Sequence, residues 1–425
     1  MTYDPSLSKA TRVTSPPRDY SHSHPSRDLR PTRRTQFDGS PEAVLLSSGE
    51  IAKTYEWFDL DGPYHHSTQL LIDLSTILAS SYQDIRFRVF DQSITSPPRH
   101  PSTPFSMTNL ISRDIDVGPY RIHAVETIPT TASTSPTVVL ISGIGGTTVT
   151  WCAVQRLLSH DLRTFAYDRL GLGKSDETDL ARPAALLARE LKDTLVAANI
   201  PSPHLLVAHS YGGIIAREFL EAYDDDVAGL VYVDANQENT HARREWPMEA
   251  TINCIKTMFT TDDATGLAEG HHLTSDEWEM VKEDERVARE RRASANPPRS
   301  SEGLAYVSSL EALGLHRQLD RQALGHRPVH IIVANLARDF QRLADAGKAD
   351  GLGSEEDHEI MRKYCERLPS IELELAQEVT RLSSMSSLVI ADQSGHLVPY
   401  WDPELCVEEI EKCIDDWKSM EGNVA

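Results

Sequence analysis

The sequence contains no long hydrophobic run. No stretch of it approaches the roughly 18 consecutive apolar residues that a transmembrane helix requires. The best candidate, residues 70–78, is short and is interrupted by Asp73. The N-terminus also lacks the apolar core of a secretory signal. The sequence therefore predicts neither a membrane span nor a signal peptide.

Cysteine is scarce, and its spacing excludes two common roles. The five cysteines are an odd number and include no C-x-x-C pair. This argues against a disulfide framework and against a zinc knuckle. We therefore expect a reducing compartment and predict a cytoplasmic location. The five residues are Cys152, Cys254, Cys365, Cys406 and Cys413.

Positive charge is outweighed throughout most of the chain. The sequence has 42 Lys and Arg residues against 64 Asp and Glu residues, which gives a formal net charge of −22. A surface of this sign repels the phosphates of nucleic acids and of anionic lipids. We therefore expect neither nucleic acid nor an anionic membrane as a partner. The sequence leaves the oligomeric state open.

Two segments precede the part of the chain to which chemistry can be assigned. Residues 1–42 are polar, interrupted by proline and free of hydrophobic periodicity, which predicts a disordered tail. Residues 43–106 form an N-terminal extension of unknown role. It combines an apolar helical pattern, a strand-like segment at 87–90 and a proline-rich stretch.

From about residue 107 the pattern is that of an α/β protein. Two segments of alternating polarity predict a β-hairpin, and apolar runs typical of buried parallel strands follow it. Because helical patterns separate these runs, we expect right-handed crossovers and a mostly parallel sheet with helices on both faces. The eight predicted strands are 111–117, 120–128, 137–142, 163–167, 205–208, 227–233, 329–334 and 387–391.

The interval between the sixth and seventh predicted strands is too long for a simple connection. It contains a highly charged helical pattern at 275–292. We interpret residues 238–326 as an inserted helical cap, or lid. The cap would divide the core into a first part, 107–237, and a second part, 327–425.

Large apolar residues occur in the predicted cap. Trp246 and Met258, with Met248 and Phe259, are candidates either for the lining of an apolar substrate site or for the core of the cap. Because the cap would lie over the strand ends, we expect it to influence substrate choice without supplying catalytic groups.

Residues 205–213 read Leu-Leu-Val-Ala-His-Ser-Tyr-Gly-Gly, which predicts a strand, a sharp turn at Ser210 and the start of a helix. Small residues two positions before and after the serine, here Ala208 and Gly212, allow such a turn to close. The turn would project the hydroxyl of Ser210 above the sheet and place the following N–H groups at a helix N-terminus, which favours negative charge. A buried serine at an ordinary strand–helix junction is the alternative.

Four motifs together resemble those of the α/β-hydrolase family, and they occur in the family's order. One is the strand–turn–helix segment around Ser210 at 205–213, which we call the elbow. The others are the S-G-I-G-G loop at 142–146, the D-R-L-G-L-G-K-S turn at 168–175 and the S-G-H segment with its following P-E at 394–404. Ser142 stands where the family usually has His, and Ala208 where it usually has Gly. The resemblance covers about 107–237 and 327–420. It implies a mostly parallel eight-stranded sheet flanked by helices, with a helical cap insertion.

The resemblance also implies the roles of particular residues. Ser210 corresponds to the nucleophile and His396 to the general base, which serine needs because its hydroxyl is a poor nucleophile. The backbone N–H groups of Ile144 and Tyr211 correspond to the oxyanion hole, with Gly143 beside the substrate.

Two aspartates compete for the role of the acid that orients His396. Asp234 directly follows the sixth predicted strand, at the edge of the sheet where the active site would lie. Asp339 follows the seventh strand after a loop, and Arg338 beside it offers a competing ion pair. We favour Asp234 and keep Asp339 as the alternative.

Three further residues have expected structural roles. His209, the neighbour of the nucleophile, is expected to fill space below the turn rather than to act as a base. Asp168 and Arg169 are expected to stabilise the turn in which they lie.

The resemblance implies hydrolysis of an ester or lactone, or of a thioester, of a small to medium apolar molecule through an acyl-enzyme on Ser210. It implies no metal and no organic cofactor. Acyl transfer and the hydrolysis of amide or C–C bonds use the same residues and stay open. A non-catalytic ligand-binding member of the fold is a further alternative, although the intact Ser, His and acid argue against it.

Overall fold

A computed structural model describes residues 110–129, 134–178, 181–261, 263–293 and 302–422, together with the backbone of Phe87–Val89. The predicted disordered tail, 1–42, lies outside the described residues. So does almost all of the predicted extension, 43–106.

A central β-sheet organises the described residues. Its strands are β1 (Phe87–Val89), β2 (Leu110–Val117), β3 (Tyr120–Thr127), β4 (Thr137–Ile141), β5 (Thr164–Tyr167), β6 (His204–His209), β7 (Val227–Val233), β8 (Val329–Ala334) and β9 (Ser386–Ala391). Their order across the sheet is β1-β9-β8-β7-β6-β4-β5-β3-β2. β3 pairs antiparallel with β2 and β5, and the other neighbours are parallel. All eight predicted strands are present, and β1 adds a ninth at the edge of the sheet.

Helices follow most of the strands. They are α1 (Cys152–Leu158), α2 (Ala184–Ala197), α3 (Gly212–Ala222), α4 (Thr240–Arg244), α5 (Met248–Cys254), α6 (Leu267–Gly270), α7 (Ser275–Ala293), α8 (Tyr306–Leu315), α9 (Leu336–Ala349), α10 (Glu355–Thr380), α11 (Val398–Trp401) and α12 (Pro403–Gly422). Short 3-10 turns occur at Thr148–Trp151, Asp224–Asp226 and Glu302–Ala305.

The central strands are buried on both faces, which explains their nearly continuous apolar sequences. Successive side chains of a strand point to opposite faces of a sheet. Val139 and Leu206 accordingly pack on one face with α2, α3, α8 and α10. Val138 and Leu205 pack on the other face with α1 and α12. Two apolar layers therefore hold the sheet in place between the helices.

The parallel strands β4, β6, β7, β8 and β9 end at the same edge of the sheet. Each of the segments that carries a predicted site residue begins at this edge. In open α/β sheets, ligands bind outside the carboxyl ends of the strands. The fold thus brings together segments that are far apart in the sequence.

The predicted helical insertion lies between β7 and β8 and contains α4 to α8. Its charged helix, predicted at 275–292, is α7. Side-chain contacts join α7 to the core. Among them, Arg156 Nε donates to Glu277 Oε1 at 2.6 Å, and Thr147 Oγ1 donates to Asp284 Oδ2 at 3.0 Å. A separate apolar cluster joins α5 to α9 and α10. The insertion therefore packs on the core through both polar and apolar contacts.

The close approach of α9 to α5 generates a stability prediction. A Cβ atom at Gly347 would lie 1.7 Å from the carbonyl oxygen of Cys254, whereas one at Gly314 of α8 would come no closer than 3.6 Å to the side chain of Glu238. We expect Gly347→Ala to lower the free energy of unfolding by about 1–3 kcal/mol through overpacking. Gly314→Ala is the matched control and should keep the wild-type Tm or raise it slightly, because alanine favours the helix more than glycine does. Equal Tm values for the two variants in thermal denaturation would contradict this account of the α5–α9 contact.

Candidate active site

Ser210 lies in a left-handed turn between β6 and α3, with a φ angle of 53°. Two glycines leave room for this turn. A Cβ at Gly212 would lie 2.4 Å from the carbonyl oxygen of Ile141, and one at Gly143 would lie 2.9 Å from Ser210 Cβ. The end of β4 and the turn after β6 therefore meet backbone to backbone, which brings Gly143 against the buried side chain of Ser210.

His396 lies in the loop after β9, and its ring is hydrogen-bonded to Asp234. Nδ1 of His396 donates to Asp234 Oδ2 at 2.6 Å, and both side chains are buried. Asp234 directly follows β7 in a left-handed conformation, and its other carboxyl oxygen accepts the N–H of Ala334 at 3.0 Å. Because Nδ1 carries the proton, Nε2 of the neutral ring has the free lone pair.

The surroundings of Asp234 favour its ionised form. Burial alone would raise the pKa of this carboxyl group. The hydrogen bond and charge of His396, together with the N–H of Ala334, more than offset that effect and hold the pKa of Asp234 below its ordinary value. An ionised carboxylate can stabilise a positively charged imidazole beside it.

Asp339 contacts the backbone of His396 rather than its ring. It lies in the first turn of α9, and its Oδ2 accepts the backbone N–H of His396 at 2.9 Å. A Cβ at Gly395 would lie 2.1 Å from the same oxygen, so the carboxyl group fits only against a glycine. Burial raises the pKa of Asp339 to about 7, although the N–H of His396 acts in the opposite direction. The two competing aspartates therefore hold different parts of His396.

His209 joins the elbow to the loop of His396. Its Nε2 donates to the carbonyl oxygen of His396 at 2.9 Å, and the two ring centroids are 4.7 Å apart. Burial, aided by the nearby His396, lowers the pKa of His209 to about 3. His209 is therefore neutral near pH 7 and serves as a hydrogen-bond donor.

Two backbone N–H groups are available beside the elbow. Tyr211 directly precedes α3, and Ile144 follows Gly143 in the loop after β4. Among the residues that the structure describes, neither of these N–H groups donates a hydrogen bond to a protein acceptor. Unpaired N–H donors attract negative charge, and the position of Tyr211 at a helix N-terminus adds to this effect.

The turn after β5 contributes two charged residues with different roles. Asp168 accepts the N–H groups of Thr148 and Lys174 at 2.7 and 2.9 Å, so it stabilises its own turn as expected. Arg169 departs from the expectation because its guanidinium group leaves the turn. It donates to the carbonyl oxygens of Ser142 and Gly143 at 2.9 and 2.6 Å. A planar group with several donors can reach two successive carbonyls, which explains the difference.

The two predicted substrate-binding residues of the insertion lie in the apolar cluster that joins α5 to α9 and α10. Trp246 contacts Phe340 with ring centroids 4.9 Å apart, and Met258 is buried in the same cluster. Phe259, next to Met258, lies closer to the site, with its ring centroid 5.1 Å from that of His396. Phe340 completes the aromatic contact to Phe259 and was not predicted, because its α9 segment carries no recognised motif.

Within the described ranges, no group of three or more His, Cys, Asp or Glu side chains is arranged to hold a metal ion. None of the helices described is both long and apolar enough to cross a membrane. All five cysteines are buried as free thiols.

The amino-acid sequence of this chain is similar to those of several known proteins. Residues 138–409 match the profile of the alpha/beta hydrolase family. A protein of Gibberella zeae described as an AB hydrolase superfamily protein is 30% identical over 72% of this chain and 95% of its own length. A protein of Hormonema carpetanum described as a probable transporter, efuK, is 27% identical over 72% of this chain. The match spans only 43% of that protein's length.

A similar fold is also found among solved structures. A structure from Pseudomonas aeruginosa, described as a candidate epoxide hydrolase, superposes with a TM-score of 0.50 at 13% identity. The superposition covers 74% of this chain and 98% of the other. At this identity the likeness concerns the fold alone.

The raised pKa of Asp339 predicts a pH dependence of stability. An aspartate in an unfolded chain ionises near about 3.9, whereas the pKa of Asp339 in the folded protein is about 7. Between these values the folded state holds a proton that the unfolded state releases, so this group lowers stability as pH rises. Asp339→Asn removes the titration and keeps an oxygen that can accept the N–H of His396.

We therefore expect the free energy of unfolding of Asp339→Asn, relative to the wild type, to increase between about pH 4 and about pH 7. Urea unfolding of both proteins at several pH values measures this difference. A constant difference across that range would show that Asp339 does not titrate there.

Proposed function

Because the chain belongs to the alpha/beta hydrolase family, we propose that it is a serine hydrolase that cleaves an ester or a lactone of a small to medium apolar molecule. Ser210 is the nucleophile, His396 the general base and Asp234 the acid that orients the base. The observation that carries the proposal is the hydrogen bond of 2.6 Å between His396 Nδ1 and Asp234, in a loop tied to the elbow of Ser210.

The acylation step uses the three side chains together. Nε2 of His396 takes the proton of Ser210 Oγ as this oxygen attacks the carbonyl carbon of the substrate. The imidazolium that forms is stabilised by the ionised Asp234. His396 then gives the proton to the leaving alcohol, and the acyl group stays on Ser210.

The oxygen of the carbonyl group becomes negatively charged during the attack. The N–H groups of Ile144 and Tyr211 are the proposed donors to this oxyanion, and their lack of other protein acceptors within the described residues supports the role. Gly143 lies against Ser210 and would border the reacting carbonyl.

Deacylation repeats these steps with water in place of the serine hydroxyl. His396 takes a proton from water, the resulting hydroxide attacks the acyl carbon, and Ser210 leaves with the proton. The proposed steps use side chains, backbone N–H groups and water, so the proposal includes neither a metal nor an organic cofactor. It retains the cytoplasmic location predicted from the cysteine content.

The preference for an apolar substrate is supported by the side chains beside His396. Phe259 contacts the ring of His396 and joins it to the apolar cluster that contains Trp246, Met258 and Phe340. Burial of an apolar substrate group against such side chains is favourable in proportion to the area removed from water. Trp246 and Met258 therefore stay in the proposal as residues that shape the substrate site from the insertion.

Removal of the nucleophile tests the proposed function directly. Ser210→Ala should abolish hydrolysis of 4-nitrophenyl butyrate and labelling by a fluorophosphonate probe, because alanine has no hydroxyl group that could form the acyl-enzyme. Ser159→Ala is the matched control, since Ser159 is also buried but its hydroxyl donates only to the carbonyl oxygen of Arg156. Mass-spectrometric mapping of the wild-type label to any residue other than Ser210 would end the proposal.

The two aspartates can be distinguished by parallel substitution. Asp234→Asn should lower kcat by up to about 10⁴, as in serine proteases where an asparagine at this position favours the wrong tautomer of the histidine. Asp339→Asn should have a much smaller effect, because Asp339 accepts the backbone N–H of His396 and an amide oxygen can replace it. Steady-state kinetics of both variants decide the assignment, and a severe defect confined to Asp339→Asn would transfer the role to Asp339.

A further inference from the structure

A buried ion pair lies behind the loop at 142–146, which carries one of the two proposed oxyanion donors. Nε and Nη2 of Arg169 donate to Glu302 Oε1 and Oε2 at 2.5 and 2.9 Å. Arg169 has no exposed surface, and the side chain of Glu302 is 5% exposed. Glu302 Oε2 also accepts the backbone N–H of Gly145 at 3.1 Å.

The pair contacts both ends of this loop. Arg169 donates to the carbonyl oxygens of Ser142 and Gly143, while Glu302 accepts from Gly145. In a planar trans peptide, a carbonyl group and the N–H of the next residue point in opposite directions. The bond from Arg169 to the Gly143 carbonyl therefore turns the N–H of Ile144 away from Arg169.

The two charges depend on each other. Burial disfavours the ionised form of both groups, but their mutual attraction and hydrogen bonds keep the pKa of Glu302 below its ordinary value and that of Arg169 above it. Removal of one partner would leave the other charge buried without compensation, which is strongly unfavourable. Arg169 would then change its position, and the Gly143 carbonyl would keep the N–H of Gly146, at 3.0 Å, as its remaining donor.

Glu302 does not belong to the strands of the core. It begins the 3-10 turn Glu302–Ala305 of the segment inserted between β7 and β8, directly before α8. The same segment reaches the second proposed donor residue, because the hydroxyl of Tyr211 donates to Ser309 Oγ of α8 at 3.1 Å. One stretch of the insertion thus contacts Tyr211 directly and contacts the loop of Ile144 at Gly145.

We propose that Glu302, acting through Arg169 and Gly145, is a positioning residue that orients the N–H of Ile144 towards the oxyanion. The oxyanion hole then forms completely only when this part of the insertion is seated on the core. The inference rests on the proposed function of Ser210, but it assigns to the insertion a catalytic contribution that a lid over the substrate would not have.

The test compares Glu302→Gln with a matched variant elsewhere. Glu302→Gln keeps the size of the side chain and one acceptor oxygen but removes the charge. Glu126→Gln is the control, because Glu126 of β3 is equally buried and pairs at 2.9 Å with both Arg113 and Arg163, away from the elbow. Arg169→Lys, which keeps the charge and loses the planar fork, is a second variant should Glu302→Gln fold poorly by circular dichroism.

The measured quantities are kcat and KM for 4-nitrophenyl butyrate and the inhibition constant of a trifluoromethyl alkyl ketone, whose adduct carries an oxyanion. Loss of one oxyanion-hole donor typically costs about 10²–10³ in kcat. We expect Glu302→Gln to lower kcat by at least about tenfold and to raise the inhibition constant of the ketone by the same factor. KM should stay within about twofold of the wild-type value. Glu126→Gln should change Tm alone.

Two outcomes would overturn the inference. One is a Glu302→Gln enzyme with the kinetics of Glu126→Gln. The other is a fall in kcat with unchanged affinity for the ketone, which would mean that the oxyanion site is intact. Both outcomes can be observed only if the wild-type enzyme shows turnover that depends on Ser210. They are therefore distinguishable from a failure of the proposed function, in which the wild type shows no such turnover.

Discussion

The close approach of two backbones at the carboxyl edge of the sheet is the constraint on which the site depends. The end of β4 meets the turn after β6, and the absence of a side chain at Gly143 and Gly212 makes the contact possible. The same contact holds Ser210 in its left-handed conformation and brings the Ile144 and Tyr211 segments to one place. A Cβ atom at either glycine would therefore push the nucleophile away from the proposed oxyanion donors, although it would leave all the catalytic groups chemically unchanged.

The two aspartates near His396 illustrate how position at a strand end decides the role of a carboxyl group. Asp234 leaves β7 without an intervening loop, reaches the ring and has a pKa below its ordinary value. Asp339 begins α9, faces the backbone of Gly395 and His396 and has its pKa raised by burial. A pair of carboxyl groups whose environments shift their pKa values apart supports different roles for the two.

The strands and the elbow could be predicted because their signals are local. Apolar runs of the length of a strand, separated by helical patterns, identify the eight main strands, and small residues around Ser210 identify the turn. The three-residue strand β1 lies within the segment at 87–90 that the sequence indicates as strand-like. Helix α10 has a capping box at its start, but Pro369 lies inside it, and a proline inside a helical pattern normally predicts the end of a helix.

The contacts that cross the molecule could not be predicted in this way. Glu302 and Arg169 are 133 positions apart, and neither residue lies in a pattern that refers to the other. Local patterns accordingly predict a role for Arg169 in its own turn and a role for the insertion in substrate choice alone. Side-chain pairing between distant segments depends on the three-dimensional arrangement, which local periodicity does not encode.

A crystal structure of the enzyme with a trifluoromethyl alkyl ketone tests the central claim most directly. The account predicts a covalent bond from Ser210 Oγ to the ketone carbon, with the oxyanion at hydrogen-bond distance, about 2.7–3.1 Å, from the N–H groups of Ile144 and Tyr211. It also predicts that His396 keeps its contact with Asp234 in this adduct. An adduct on another residue, or an oxyanion directed away from these two N–H groups, would contradict the account.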